Sequence, residues 1–165
     1  MDFKIRDASQ NDMEAVLMLI QELADFEKES DAVEISAKQL IQDGFIKNPP
    51  LFKCFVAEID EIVVGAALVY TRYSTWKGQI LHLEDLIVTS DQRGQGIGSA
   101  LLDTVVQFGH NLGVKRINWE VLDWNSGAIK LYEQKGAKVL RDWNVVHLDE
   151  KGIKAYIKTM TSASI

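Results

Sequence analysis

Three glycines at alternate positions, Gly94, Gly96 and Gly98, follow Arg93 and precede a helical run that begins at Ala100. They close the stretch Leu83-Glu-Asp-Leu-Ile-Val-Thr-Ser-Asp-Gln-Arg-Gly-Gln-Gly-Ile-Gly-Ser99, an apolar strand passing through a polar turn into a helix. Such an arrangement binds phosphate. Glycines remove side chains that would keep an anion from backbone N–H groups, and the helix N-terminus adds partial positive charge. Spacing narrows the kind of phosphate. The nucleoside triphosphate loop G-x-x-x-x-G-K-[ST] needs a lysine that does not follow any glycine here at that distance. The dinucleotide pattern G-x-G-x-x-G, counted from Gly94 and Gly96, meets Ser99 where its third glycine belongs. Arg93-Gly-Gln-Gly-Ile-Gly98 instead has the form [RQ]-x-x-G-x-[GA]. Taken alone it is also compatible with a flexible turn before an ordinary helix.

Other residues able to do chemistry stand near this loop or are spread along the chain. Glu84 and Asp85 interrupt the strand that feeds it. Strict alternation would bury Leu81, Leu83 and Asp85, whereas the apolar run is Leu86-Ile87-Val88, so the register breaks at Glu84-Asp85. A bulge presenting a carboxylate does this, and so do two acids at a sheet edge. Glu27 lies in a charged patch with Lys28, Glu29 and Asp31, which also suits a solvated helix end. Tyr132, in a helical run, is equally a packing residue. The single cysteine, Cys54, sits inside an apolar strand and reads as a buried thiol rather than a nucleophile. His82, His110 and His147 are scattered, and no Cys/His group has metal-ligand spacing.

The elements that must position these residues follow from periodicity. Residues 3–7 alternate as a first strand, and Ser9 caps a helix whose buried stripe is Met13, Val16, Leu17, Ile20, Leu23 and Ala24. Ser36-Ala-Lys-Gln39 opens a short second helix as a capping box, and Asp43-Gly44 closes it. Strands are predicted over 52–59, 62–70 and 79–88, with a tight turn at Asp60-Glu61. The residues 71–76 between the last two carry Tyr73 and Trp76, at a hairpin tip or lining a substrate. Beyond the loop come a helix ending near Gly113, a fifth strand over 114–122, and a helix over 127–135. Two closing strands at 137–140 and 143–148 follow, then a segment, 152–160, that suits helix or strand. The fold class is α/β (α+β): a mixed, mostly antiparallel sheet of about seven strands with helices on both faces.

Composition bounds the function classes. The chain has 165 residues, 47% hydrophobic and 25% charged, as expected of one globular domain over 1–165. Eighteen basic against 24 acidic residues give a net charge of −6, which argues against nucleic acid and suits cationic small substrates. No apolar run is long enough to span a membrane and no signal peptide precedes the first strand, so a cytoplasmic location is expected, in keeping with the lone cysteine.

The glycine loop resembles the coenzyme A pyrophosphate loop of the GCN5-related N-acetyltransferase superfamily. Asn125-Ser-Gly-Ala-Ile-Lys-Leu-Tyr-Glu-Gln-Lys-Gly-Ala137 is similar to that superfamily's second motif, N-x-x-[AS]-x-x-[LF]-Y-x-x-x-G-[AF], at the expected distance downstream. Within it, Leu23-Ala-Asp-Phe-Glu-Lys28, Asp43-Gly-Phe45, Tyr73-Ser-Thr-Trp-Lys-Gly78, Leu83-Glu-Asp85 and Val121-Leu-Asp-Trp-Asn125 resemble the diamine acetyltransferase family. That family comprises spermidine/spermine and thialysine acetyltransferases. The polyamine branch places an acidic residue and a proline where Ser74 and Thr75 stand, and the chain is more similar to the thialysine branch.

The resemblance implies an acetyl-CoA-dependent N-acetyltransferase of a small primary amine, thialysine or a lysine-like amino acid. It also implies an acyl-CoA N-acyltransferase fold whose fourth and fifth strands splay, and a homodimer. Glu84 is implied as general base and Tyr132 as the acid for the leaving thiolate. Glu27, Asp85, Tyr73 and Trp76 join Glu84 around the substrate. Leu86, Ile87, Val88, Arg93, Gly94, Gln95, Gly96, Ile97, Gly98, Ser99, Asn125 and Tyr132 are implied as cofactor contacts. The alternatives are a polyamine acetyltransferase, a non-catalytic acyl-CoA-binding module and an enzyme acetylating protein amines.

Overall fold

The computed structural model describes residues 2–162 and divides into two compact units, residues 1–125 and 126–165. The first holds five strands, β1 (Lys4–Asp7), β2 (Lys53–Ile59), β3 (Ile62–Ser74), β4 (Gly78–Val88) and β5 (Ile117–Asn118), and three helices, α1 (Met13–Phe26), α2 (Ala37–Ile41) and α3 (Ile97–Asn111). The sheet order is β1-β2-β3-β4-β5. The first three junctions are antiparallel, and β5 joins β4 in parallel. The α3 crossover between β4 and β5 makes that parallel pairing possible.

Helices cover both faces. Met13, Val16 and Leu19 of α1 and Ala37 and Leu40 of α2 pack with Cys54, Val56, Ala66 and Ile87 on one face. On the other, α3 lies against β2, β3 and β4, and Phe108 meets Phe55 edge-on with ring centroids 5.5 Å apart. Alternation along β2 sorts Cys54 and Val56 from Phe55 in the way a sheet buried on both faces requires. A Cβ on Gly109 would come within 2.9 Å of Ile117 Cδ1, so the tail of α3 rides directly on β5.

Local chemistry explains the edges. Asp60 and Glu61 both have positive φ, 48° and 67°, the backbone of a two-residue hairpin turn. Ser9 caps a 3₁₀ turn, Gln10–Asp12, that leads into α1, rather than α1 itself. Arg6 donates to both carboxylate oxygens of Asp12 at 2.8 Å and to Glu58 at 2.8 Å, tying this turn to β1 and β2. The Arg6 guanidinium holds Asp12 well below the usual carboxylate range. Ser36 caps α2 by accepting from Gln39 N–H at 3.2 Å, but Gln39 turns its amide to Asp43, so only half of the expected box forms. The helix does not close at Asp43-Gly44; it continues as a π-helical turn, Gln42–Ile46.

Three expectations need correction. The sheet has five strands, not seven. The fifth strand shrinks to Ile117–Asn118 because only Leu81 and His82 of β4 pair with it. The two closing strands do not form: residues 137–149 lie in the second unit, whose regular elements are α4 (Ser126–Gln134) and α5 (Glu150–Ser162). A hairpin without a third strand or a packed helix is marginal in water. The open segment 152–160 is helical. In α4 the buried residues are Ile129 and Tyr132, and Gly136 with φ of 89° follows its end.

Leu101, fully buried in α3, tests the packing of the second face. Leu101→Ala should cost about 2–5 kcal/mol, read as a lower denaturant midpoint with unchanged slope.

Candidate active site

The site begins with one extra residue in β4. Along the β3–β4 ladder Val69 faces Leu83 and Leu68 faces Asp85, so Glu84 has no partner. Directly opposed residues share a face, and a bulge swaps the parity of everything beyond it. Leu83 therefore stands with Val69 on the α3 face, while Asp85 and Ile87 stand with Leu68 and Ala66 on the α1 face. Tyr70 and His82, paired before the bulge, belong to the α1 face as well. As a result His82, Glu84 and the adjacent Asp85 are gathered on one side of the sheet, where unbroken alternation would separate Glu84 from Asp85.

The electrostatics of the gathered groups follow from this placement. Burial pushes the Asp85 carboxyl up to about 6, and the charges of Glu84 and Glu27 push in the same direction. Glu27 is itself raised, first by burial and then by Glu29. Glu84 is half exposed, with Oε2 3.5 Å from His82 Nε2. The Tyr70 phenol is raised by burial and then by the facing Glu84 carboxylate, with a further contribution from Glu120. Of the expected substrate residues, Glu27 and Glu84 thus both act on Asp85.

The glycine loop follows from the end of β4 through a 3₁₀ turn, Ser90–Gln92. Gly94 and Gly96 have φ of 78° and 86°, left-handed backbone that favours glycine, and a Cβ at either would meet nothing within 4 Å. Gly96 caps α3, and the first helical bond within it runs from Ala100 N–H to the Gly96 carbonyl at 3.0 Å. The N–H groups of Ile97, Gly98 and Ser99 precede that bond and open toward the space over the glycines. Arg93 turns away from this cradle. Its Nε donates to the Val88 carbonyl at 2.8 Å, its Nη2 lies 3.4 Å from Glu22, and its guanidinium covers Phe26 at 5.3 Å. It anchors the loop's entry to β4 and α1. Gln95 bonds Gln92 at 2.9 Å.

β4 and β5 part immediately after His82 and Asn118, their last paired residues, which is the expected splay. The edge of β4 along Leu86, Ile87 and Val88 is paired to β3 alone. At the fork the Asn118 Oδ1 is buried without a hydrogen-bond partner among the described residues. Asn125 closes the first unit, its N–H donating to Leu122 at 2.9 Å. Tyr132 belongs to the second unit, where it is buried and its phenol is raised above the ordinary value by that burial.

Tyr73 and Trp76 are not brought to the carboxylates. They stand at the β3–β4 hairpin tip, 77% and 79% exposed. Aromatic character near the acids comes instead from residues outside the expected set. Phe26 and Trp124 have ring centroids 5.2 Å apart, and Lys28 Nζ lies 5.6 Å from the Trp124 centroid. Tyr70, His82 and Glu120 were also missed. The alternation of Asn118 with Glu120, and of His82 with Glu84, carried the signal, but which face each run addresses depends on pairing.

The family model of acetyltransferases (GNAT) matches residues 16–137. A thialysine N-epsilon-acetyltransferase of Bos taurus is 42% identical over 146 residues, covering 84% of this chain and 85% of that protein. A human spermidine/spermine N(1)-acetyltransferase-like protein is 37% identical over 153 residues, covering 88% of this chain and 22% of that longer protein. Among solved structures, an integron cassette protein of V. cholerae superposes with a TM-score of 0.76 at 21% identity, over 96% of this chain and 99% of that one. This last likeness concerns the fold.

The raised Asp85 carboxyl predicts a pH signature. A folded-state value of about 6, above the ordinary 3.8, means that the native protein holds this proton more tightly than the unfolded chain. Its contribution therefore weakens as pH rises from about 4 to about 7, by on the order of 2 kcal/mol. Asp85→Asn should remove that slope, seen as a smaller loss of unfolding midpoint between acid and neutral pH than in the unsubstituted protein.

Proposed function

Because the chain belongs to the acetyltransferase (GNAT) family and is an acetyl-transferring enzyme, we propose that it acetylates the primary amine of a small lysine-like amino acid, thialysine foremost. The observation that carries this reading is the bulge at Glu84, which turns Glu84 and Asp85 to the face where Glu27 also acts. An acidic, partly desolvated surface suits an alkylammonium. The identity to the bovine thialysine enzyme supports the choice of amine, as do Ser74 and Thr75 at the hairpin tip.

Acetyl-CoA, the family's acetyl donor, supplies the thioester carbon that the amine attacks. The chain fits it: the glycine cradle is open, and the fork offers a free strand edge and the unpartnered Asn118 oxygen. In this reading the N–H groups of Gln95, Gly96, Gly98 and Ser99 hold the pyrophosphate, with Gly94 and Ile97 shaping the loop and Arg93 anchoring it. The backbone of Leu86, Ile87 and Val88 pairs with the cofactor's amide-bearing arm, and Asn125 contacts that arm near the reacting centre.

An ammonium of pKa ~10.4 is only about 0.1% neutral near pH 7.4, so a proton must be taken. Glu84 takes it, through water, while Asp85 and Glu27 hold the substrate's cationic groups. A backbone N–H near Leu86-Ile87 faces the developing oxyanion. Tyr132 returns a proton to the leaving thiolate, supported by its place in the second motif and by its buried phenol. The family match runs through the junction of the two units, which supports one catalytic domain over 1–165. Family and base rate favour a homodimer. A cytoplasmic location is consistent with the lone Cys54, and none of the described helices is long and apolar enough to cross a membrane.

A polyamine acceptor is the second reading, favoured by Glu120 as a further acid near Tyr70 and by the human relative. Release of CoA thiol with thialysine, lysine, spermidine and putrescine separates the two. Highest kcat/KM is expected with thialysine; spermidine in the lead would establish the polyamine reading. Glu84→Gln should lower kcat by ~10²–10⁴-fold with the acetyl-CoA KM little changed. Tyr132→Phe should lower kcat too, and undiminished turnover would remove Tyr132 from the mechanism.

A further inference from the structure

We propose that His82, with Tyr70 beside it, is a positioning residue for the Glu84 carboxylate, its Nε2–H holding the base on the bulge toward the incoming amine. The inference rests on Glu84 being the base. His82 is only 6% exposed, in a strand whose neighbours Leu81 and Leu83 are buried leucines. An imidazole there costs desolvation that an aliphatic side chain would not. Its ring is fixed by packing against Tyr70, its direct partner across the ladder, with centroids 5.0 Å apart and planes at 40°. Nδ1 is buried without a partner among the described residues, whereas Nε2 faces Glu84 Oε2 at 3.5 Å. The tautomer that fits carries its proton on Nε2, toward the carboxylate, and leaves a lone pair on Nδ1. A separation of this length in the free enzyme is of the kind that tightens once substrate is bound.

Tyr70, packed against His82 from β3, also feels the Glu84 carboxylate, which helps to raise its phenol. His82 and its partner Tyr70 thus stand beside Glu84. An imidazole N–H can orient a carboxylate without the fixed positive charge that a lysine or arginine would place there. The charged and titratable groups around it are Tyr70 and Arg72 on β3, His82 and Asp85 on β4, Glu120 beyond β5, and Glu27 after α1. The bulge releases Glu84 from the ladder, and the His82–Tyr70 pair limits where that freedom can go.

The test uses the full chain with acetyl-CoA and thialysine, measuring kcat and both KM values from about pH 6 to pH 9. The variants are His82→Phe, His82→Gln, Tyr70→Phe and Glu84→Gln, with the double variant His82→Phe/Glu84→Gln. His82→Phe should lower kcat about tenfold, leave the acetyl-CoA KM unchanged, and move the acid limb of kcat/KM to higher pH. His82→Gln, which restores a donor, should recover most of the loss. In the Glu84→Gln background the same change should cost little more, since there is no carboxylate left to position. Wild-type kcat and pH profile in His82→Phe, with Glu84→Gln impaired, would overturn the role of His82 alone. Equal losses in both backgrounds would make His82 merely structural and overturn it too. Full activity in Glu84→Gln would remove the base, and this inference with it. If His82→Phe does not fold, Tyr70→Phe carries the test, with the same lowered kcat, shifted limb and non-additivity expected and a wild-type profile overturning it.

Discussion

One unpaired residue in β4 governs the rest of the architecture. β3 runs thirteen residues, Ile62–Ser74, against β4, and the ladder between them is continuous except at Glu84. Without that extra residue, the parity that buries Leu81 and Leu83 against α3 would also turn Asp85 into the same core and Ile87 out of the other. The bulge lets one strand feed both cores. A charged residue at the break costs little there, because Glu84 is half exposed. The constraint that satisfies packing is the one that assembles the acidic surface.

A second constraint acts on the neighbouring edge. β5 is parallel to β4 and pairs with only Leu81 and His82, while the close approach of Gly109 to Ile117 holds it against the tail of α3. The edge of β4 beyond His82 is therefore left open at the point where the strand delivers the chain to the glycine loop. An exposed strand edge is ordinarily a liability for aggregation. Here it ends beside a helix N-terminus and a left-handed glycine turn, both of which leave N–H groups directed outward. Arg93 contributes by binding back to Val88, Glu22 and Phe26, so that the loop's entry is held while its centre remains backbone.

Charge is distributed unequally across the α1 face. At the N-terminal end of α1, Asp12 is neutralised by Arg6 and stays ionised. Near its C-terminal end Asp85 is raised by burial and by the charges of Glu84 and Glu27, and Glu27 by burial and Glu29. The same residue type is thus a structural anchor at one end of the helix and a raised carboxyl at the other.

Local patterns were legible in the sequence wherever the physics is local. The glycine turn before α3, the turn at Asp60-Glu61, the helical stripe of α1 and the break in alternation at Glu84-Asp85 all follow from neighbours in the chain. The two motifs indicated the acetyltransferase family for the same reason, since each is a run of consecutive residues. Residues 137–140 and 143–148 suited strands but lacked the partners that strands need. Only tertiary structure decided that Tyr70, His82 and Glu84 share a face with Glu27, that Arg93 turns to α1, and that Tyr73 and Trp76 stand clear of the acids. Those outcomes depend on register and on which helix covers which face. A shift of one residue inverts both, and only the packed sheet selects between them.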